Sequence, residues 1–187
     1  MSYTELEVET TWFQTYKGHD FNVLRPKADM IDIEDIAHAL SMICRFNGHV
    51  SQYYSVAQHS VLVASACSDE FALYGLLHDA SEAYIGDVIS PTKPILRNYQ
   101  DIEHNIMQVI CKKFGIDLTD ECESHIKERD LRMLLTEASQ LAPNLKLNFH
   151  KKINYPTEGY KFEIVPWSSE GAEETFLTVF EILCQKN

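Results

Sequence analysis

The chain has 187 residues, 45% of them hydrophobic, and a net charge of −12 from 16 Lys plus Arg against 28 Asp plus Glu. That is one domain able to bury a core without disulfides or metals as staples, and the composition excludes collagen-like, low-complexity and disulfide-scaffold classes. Nonspecific nucleic-acid binding needs a basic face to displace counterions, so nucleic acid is not an expected partner; an anionic small molecule needs a local cation, either a metal or a few placed Arg and Lys.

Two short β-prone runs, Trp12–Tyr16 and Phe21–Leu24, flank Lys17-Gly18-His19-Asp20 and predict a small hairpin. From Asp32 the period changes: Ile33, Ile36, Ala37, Leu40 and Ile43 recur at helical spacing and predict a helix over 32–44, stopped by Gly48 after Arg45-Phe46-Asn47. Ser55-Val56-Ala57-Gln58 is a capping box, predicting a helix from 55 to Cys67 with His59 in its first or second turn. Asp69 opens a third helix that runs to about Ala83, and Gly86, Pro91 and Pro94 make 86–97 a loop. Helices over 100–114, stopped by Gly115, and over 120–142, stopped before Pro143, follow. Residues 145–167 read as loop with extended pieces at Ile153–Tyr155 and Tyr160–Val165, and a last helix covers 169–185. The expected fold is all-α: a compact bundle of about six helices with a small N-terminal β hairpin.

The five cysteines are odd in number, widely spaced and without a C-x-x-C pair, so neither a zinc knuckle nor a disulfide framework is suggested. Four of them lie in apolar helical patterns and are read as small buried core residues. Reduced thiols, an acidic N-terminus without an apolar signal core, and no apolar run near the roughly 18 residues of a membrane span predict a cytoplasmic protein with no membrane partner.

The densest polar cluster in apolar surroundings is Leu76-Leu77-His78-Asp79-Ala80-Ser81-Glu82-Ala83. A buried ionised Asp is costly unless a cation sits beside it. On a helix, His78, Asp79 and Glu82 line one face, which suits a metal. A lone His-Asp pair is a weak signal, and the second one, His19-Asp20, is read as surface. His59, 19 residues before His78, and Asp130, 51 after Asp79, complete a set of four ligands from three helices.

The order His59, His78-Asp79, Asp130 resembles the signature of the HD-domain metal-dependent phosphohydrolases. Ser55–Ser60 resembles the family's first-histidine helix, and Gly75–Val88 its metal-and-catalysis helix with the following loop. Arg45 resembles the arginine that the 5′-deoxynucleotidase branch sets against the phosphate, and Ile33–Ser41 with Cys44–His49 is similar to short phage and bacterial members. The resemblance covers about residues 10–140 and implies the HD-domain fold over a single domain, 1–187: a hairpin-like appendage at 1–30, a metal-site core at 31–142, and a loop with the C-terminal helix at 143–187.

It further implies one divalent metal (Mn, Co, Ni, Zn, Fe or Mg) on His59, His78, Asp79 and Asp130, and hydrolysis of a deoxynucleotide. Both a dNTP triphosphohydrolase, with dATP as substrate, and a 5′-deoxynucleotidase acting on a dNMP fit. Glu82, one turn beyond the His-Asp pair, is the candidate base, with Asp87 beside it at the edge of the site. Arg45 and Lys93 are candidate phosphate cations, and His49 a candidate pocket residue. Trp12, Phe13, Phe46, Tyr53 and Tyr54 are aromatics near the expected mouth. The competing readings are another HD phosphodiesterase, cyclic-nucleotide or alarmone, and a metal-free binding module that keeps the fold; a homo-oligomer is left open.

Overall fold

Thr4 and Glu7 exchange a capping box at the start of the chain: the Thr4 hydroxyl accepts from the Glu7 N–H and the Glu7 carboxylate accepts from the Thr4 N–H at 2.7 Å. A computed structural model, which describes residues 3–142, 144, 156 and 158–186, thus begins with a helix that the sequence reading had not assigned, α1 (Glu5–Glu9). The hairpin follows, shorter than expected, as β1 (Trp12–Gln14) and β2 (Asp20–Asn22), with Trp12 opposite Asn22 and Gln14 opposite Asp20. It is built into the core, not appended to it. Phe21 is fully buried and stacks on Tyr84 at 4.0 Å. The turn is tied down by buried Asp35, which accepts from the Thr15 hydroxyl, the Lys17 N–H and the His19 ring.

The helical expectation is met along most of the chain: α2 (Ile33–Met42), α3 (Val56–Ala66), α4 (Ala72–Leu77), α5 (Glu82–Ile85), α6 (Tyr99–Phe114), α7 (Asp120–Leu141) and α8 (Ser169–Lys186). Asp32, Ser55 and Thr119 cap α2, α3 and α7, each accepting a first-turn N–H. Gly115 ends α6 in the left-handed conformation.

One departure matters for the site. The single helix expected from Asp69 to Ala83 is broken into α4 and α5. Between them the backbone tightens to i→i+3 bonds, Ala80 N–H to Leu77 and Glu82 N–H to Asp79. Residues three apart then eclipse, so Asp79 and Glu82 stand one above the other.

The central helix is α3, buried on nearly every side and packed against α2, α4, α7 and α8. Its neighbours close the main core with Ile36, Leu40, Leu76, Leu77, Ile106, Ile110 and Phe176. Gly75 lets α4 approach: a Cβ there would sit 3.1 Å from Ala64 Cα and 2.9 Å from Cys67 Sγ. Only Cys111 and Cys122 are fully buried; Cys44 and Cys67 are half-buried and Cys184 is exposed, because it faces outward from α8.

Residues 158–167, with a bend at Lys161 and Phe162, cross α7 and α3 and pair with no strand among the described residues, so the extended piece expected at Tyr160–Val165 forms no strand. Side chains replace the missing ladder. The Thr136 hydroxyl accepts from the Tyr160 N–H. The Gln140 amide pairs with Phe162 O and Ile164 N–H, and the Gln58 amide with Val165 O and Trp167 N–H. Gln58 therefore completes no capping box; only its backbone N–H is used by Ser55. The expected extended piece Ile153–Tyr155 and His150 lie outside the described residues. No helix among the described residues is long and apolar enough to cross a membrane.

Candidate metal centre

Three of the four expected ligands, His59, His78 and Asp79, form one cluster, and Asp130 joins it at His59. His59 comes from the first turn of α3, His78 and Asp79 from the tight turn after α4, and Asp130 from the middle of α7. His59 Nε2 lies 3.3 Å from His78 Nε2, 3.2 Å from Asp130 Oδ1 and 3.6 Å from Asp79 Oδ2; His78 Nε2 lies 3.3 Å from Asp79 Oδ2. His59, His78 and Asp79 each offer one donor atom within 4.8 Å of the others.

The other ring nitrogens explain what this cluster asks for. His78 Nδ1 lies 2.8 Å from the Gly75 carbonyl, which can only accept, so Nδ1 carries the proton. His59 Nδ1 lies 2.6 Å from Glu137 Oε1 and donates to that carboxylate. With Nδ1 of each ring committed as a donor, the two Nε2 atoms face each other and the carboxylate oxygens of Asp79 and Asp130 around His59. With bare lone pairs on both Nε2 atoms, such a group of donors would repel unless a cation stood among them. Two imidazoles and two carboxylates with Nδ1 held by a carbonyl and a carboxylate form a donor set that fits a divalent metal.

Electrostatics agree. Burial and the Arg45 charge push the His59 ring down, yet Glu137 and Asp130 outweigh them and hold it up at about 9. Burial pushes Asp130 up, but His59, with His78 and Arg45, holds it well below the usual carboxylate range. Access is graded: the His59 side chain is 0% exposed, Asp79 21% and Asp130 34%, so the cluster opens on the carboxylate side.

Arg45 is buried beside it. Its N–H donates to Tyr54 O at 2.9 Å, its Nε lies 3.1 Å from Glu137 Oε2, and its Nη1 lies 3.6 Å from Asp79 Oδ2. The turn that carries it is strained: Phe46 and Asn47, both non-glycine, have φ of 56° and 51°. The guanidinium lies 5.6 Å from the Phe46 ring centre.

Glu82 is buried, and its Oε2 has no hydrogen-bond partner among the described residues. Burial, then Asp79 and Asp87, push its carboxyl well above the usual range. Asp87 is half-buried and also raised, chiefly by burial and against the pull of Arg45. Lys93 Nζ lies 2.7 Å from Glu103 Oε1 and 3.9 Å from Glu82 Oε1, so it is engaged with the acid beside the cluster rather than free at the surface. His49 is exposed at the end of the Arg45 turn, and no described contact joins it to the cluster.

One residue was missed by sequence reasoning and one was misplaced. Glu137, fully buried, accepts from His59, Tyr54 and Arg45. Its signal was its place seven residues after Asp130, two turns on along the same face of α7. Tyr54, expected at the mouth, is fully buried instead and donates its hydroxyl to Glu137 at 2.8 Å. Among the other aromatics, Tyr53 bonds Ser41 O, and Trp12 and Phe13 stay exposed on the hairpin. The remaining described histidines are engaged elsewhere, His19 with Asp35, His38 with Glu173, His104 with Gln108 and His125 with the Ser68 N–H. An open groove of about 740 Å³ between Leu24–Pro26 and α6 shares no residue with the cluster; convergence of donors, not enclosure, marks the site.

No family model matches the chain. It is 43% identical over 131 residues to the Escherichia coli K12 protein named Uncharacterized protein YfdR, covering 70% of this chain and 72% of that one. It is 31% identical over 147 residues to the Rhodobacter capsulatus protein named Uncharacterized protein RCAP_rcc00048, covering 72% of this chain and 75% of that one. At this identity and coverage, the chain belongs to the family of YfdR and its Rhodobacter relative.

Proposed function

We propose that the protein is a cytoplasmic metal-dependent phosphohydrolase of the HD-domain type, acting on nucleotides and by preference deoxynucleotides. The observation that carries the reading is the pair of imidazole Nε2 atoms 3.3 Å apart, both with Nδ1 committed as donor, set against two carboxylate oxygens. His59, His78, Asp79 and Asp130 would hold one divalent ion. Such an ion, when bound, polarises a phosphoryl oxygen and lowers the pKa of a water.

The chain's own residues supply the rest. Two ligand carboxylates offset the ion's charge, so a phosphate can approach a protein of net charge −12. Burial pushes Arg45 down, but Glu137 and Asp79 outweigh it and keep the guanidinium fully cationic. With its Nε occupied by Glu137, its Nη edge is left for a phosphate beside Asp79. Glu82, raised in pKa and with one oxygen unpartnered, is suited to take the proton of the attacking water. Lys93 steadies Glu82 through Oε1. In the reaction the water oxygen forms the new P–O bond, the bond to the leaving oxygen breaks, and the water's proton goes to Glu82. Asp87 lies at the edge of this set, placed to help the leaving group.

The test is a panel of ribo- and deoxynucleotide mono- and triphosphates with Mn, Co, Ni, Zn, Fe or Mg, the products separated by chromatography. The expected result is release of phosphate or triphosphate that chelation stops and metal restores. No hydrolysis of any nucleotide with any of these metals refutes the reading.

A further inference from the structure

We infer that Glu137 is a positioning residue that sets the metal-side histidine and the phosphate-side arginine together, so that metal affinity and phosphate affinity depend on one carboxylate. The inference rests on the metal and phosphate reading given above. Glu137 is fully buried, and three donors share its two oxygens: Oε1 takes His59 Nδ1 at 2.6 Å and the Tyr54 hydroxyl at 2.8 Å, and Oε2 takes Arg45 Nε at 3.1 Å.

Each contact has a separate consequence. The bond from His59 Nδ1 commits that nitrogen as a donor and leaves Nε2, the atom aimed at His78, Asp79 and Asp130, as the one that can bind a metal. The bond from Arg45 Nε turns the guanidinium so that Nη1 reaches toward Asp79 Oδ2. Tyr54 holds the carboxylate between the two. Its own backbone carbonyl takes the Arg45 N–H, so the tyrosine is fixed to the same turn. Arg45 and His59 lie on either side of the Cys44–Ser55 bridge, 14 residues apart in sequence, and Glu137 joins their side chains from α7.

A plain buried counter-ion would need only net charge. This arrangement needs two acceptor oxygens, and that distinguishes the two roles. Glutamine at 137 keeps size and shape but offers one acceptor. If its oxygen faces His59, its NH₂ meets the Arg45 Nε–H, donor against donor; turned the other way, it meets the His59 Nδ1–H.

The experiment is a calorimetric comparison of the full chain and Glu137→Gln. Zn²⁺ is the metal probe, and dAMP is the phosphate probe, measured in a Glu82→Gln background that holds turnover down. The expected result is a parent that binds one Zn²⁺ and a Glu137→Gln chain that binds it about 10- to 100-fold more weakly, the range for loss of a residue that orients a ligand. Arg45→Gln should weaken dAMP binding in the parent background and change it far less when Glu137 is already Gln, the non-additivity of groups that act as a unit. Parent-like Zn²⁺ affinity in Glu137→Gln overturns the inference, as does an equal Arg45→Gln effect in both backgrounds. A parent that binds no Zn²⁺ overturns it differently, by removing the metal reading beneath it. Should Glu137→Gln fail to fold, the Zn²⁺-loaded parent decides by nitrogen-resolved NMR of the His59 ring. A proton on Nδ1 is expected; a proton on Nε2 overturns the role.

Discussion

A metal held as proposed would compete with a proton for His59. The ring is held up at about 9, above the ordinary 6.5, because Glu137 and Asp130 outweigh burial and the Arg45 charge. The metal needs the Nε2 lone pair, so at pH 7 it must first displace a proton. The gap of about 2 pH units costs about 3 kcal/mol, on the order of 100-fold in apparent metal affinity. The sign follows: affinity rises about tenfold per pH unit from 7 toward 9 and flattens above it. Calorimetry at pH 7 in buffers of differing ionisation enthalpy should count about one proton released per metal bound. The same raised pKa stabilises the metal-free fold. That contribution is complete below pH 6.5 and is lost as pH rises through about 9, so metal-free protein should lose up to about 3 kcal/mol across this window. Metal affinity that is flat from pH 6.5 to 9, with no proton released, would show that no His59 proton stands in the metal position.

Glu82→Ala should keep the metal and the substrate affinity and lose about 10²-fold or more in kcat, the usual worth of a positioned acid–base group; parent-rate turnover would move the base to Asp87. Arg45→Lys should lose about one to two decades in kcat/KM with metal content unchanged, since an ammonium cannot span two phosphate oxygens; parent kcat/KM would leave the phosphate to Lys93 or the metal alone. Gly75→Ala should lower stability by about 1–3 kcal/mol in chemical denaturation, because its Cβ would press on Ala64 Cα at 3.1 Å and Cys67 Sγ at 2.9 Å and push the His78 turn away from α3. An unchanged midpoint would mean that α3 and α4 separate freely.

The helices that carry the site could be read from the sequence where apolar period and caps agree. Ser55 marks the start of α3 by chemistry that the backbone uses as expected, while Asp32, read only as the start of the helical period, also caps α2. The break between α4 and α5 was not legible, since Leu76, Leu77, Ala80 and Ala83 continue the helical period through it. The tightening shows only in the backbone bonds around Ala80 and Glu82. The convergence of His59, His78, Asp79 and Asp130 followed from residue type and a family order, while their mutual distances needed the packing of α7 on α3. Glu137 was hidden because a glutamate late in a charged helix reads as a solvated side chain; its burial comes from Tyr54 and Arg45, 83 and 92 residues away in sequence. Gln58 looked like the second half of a capping box, yet its amide binds the extended segment at Val165 and Trp167, a partner no local pattern announces.

The central claim is that His59, His78, Asp79 and Asp130 hold one divalent metal, and Asp79 tests it best. It is the ligand whose carboxylate faces both histidines and Arg45. Elemental analysis of the parent and of Asp79→Ala, folded to the same extent by circular dichroism, should find about one transition metal per parent chain and essentially none in the variant. Full metal occupancy in Asp79→Ala would contradict it.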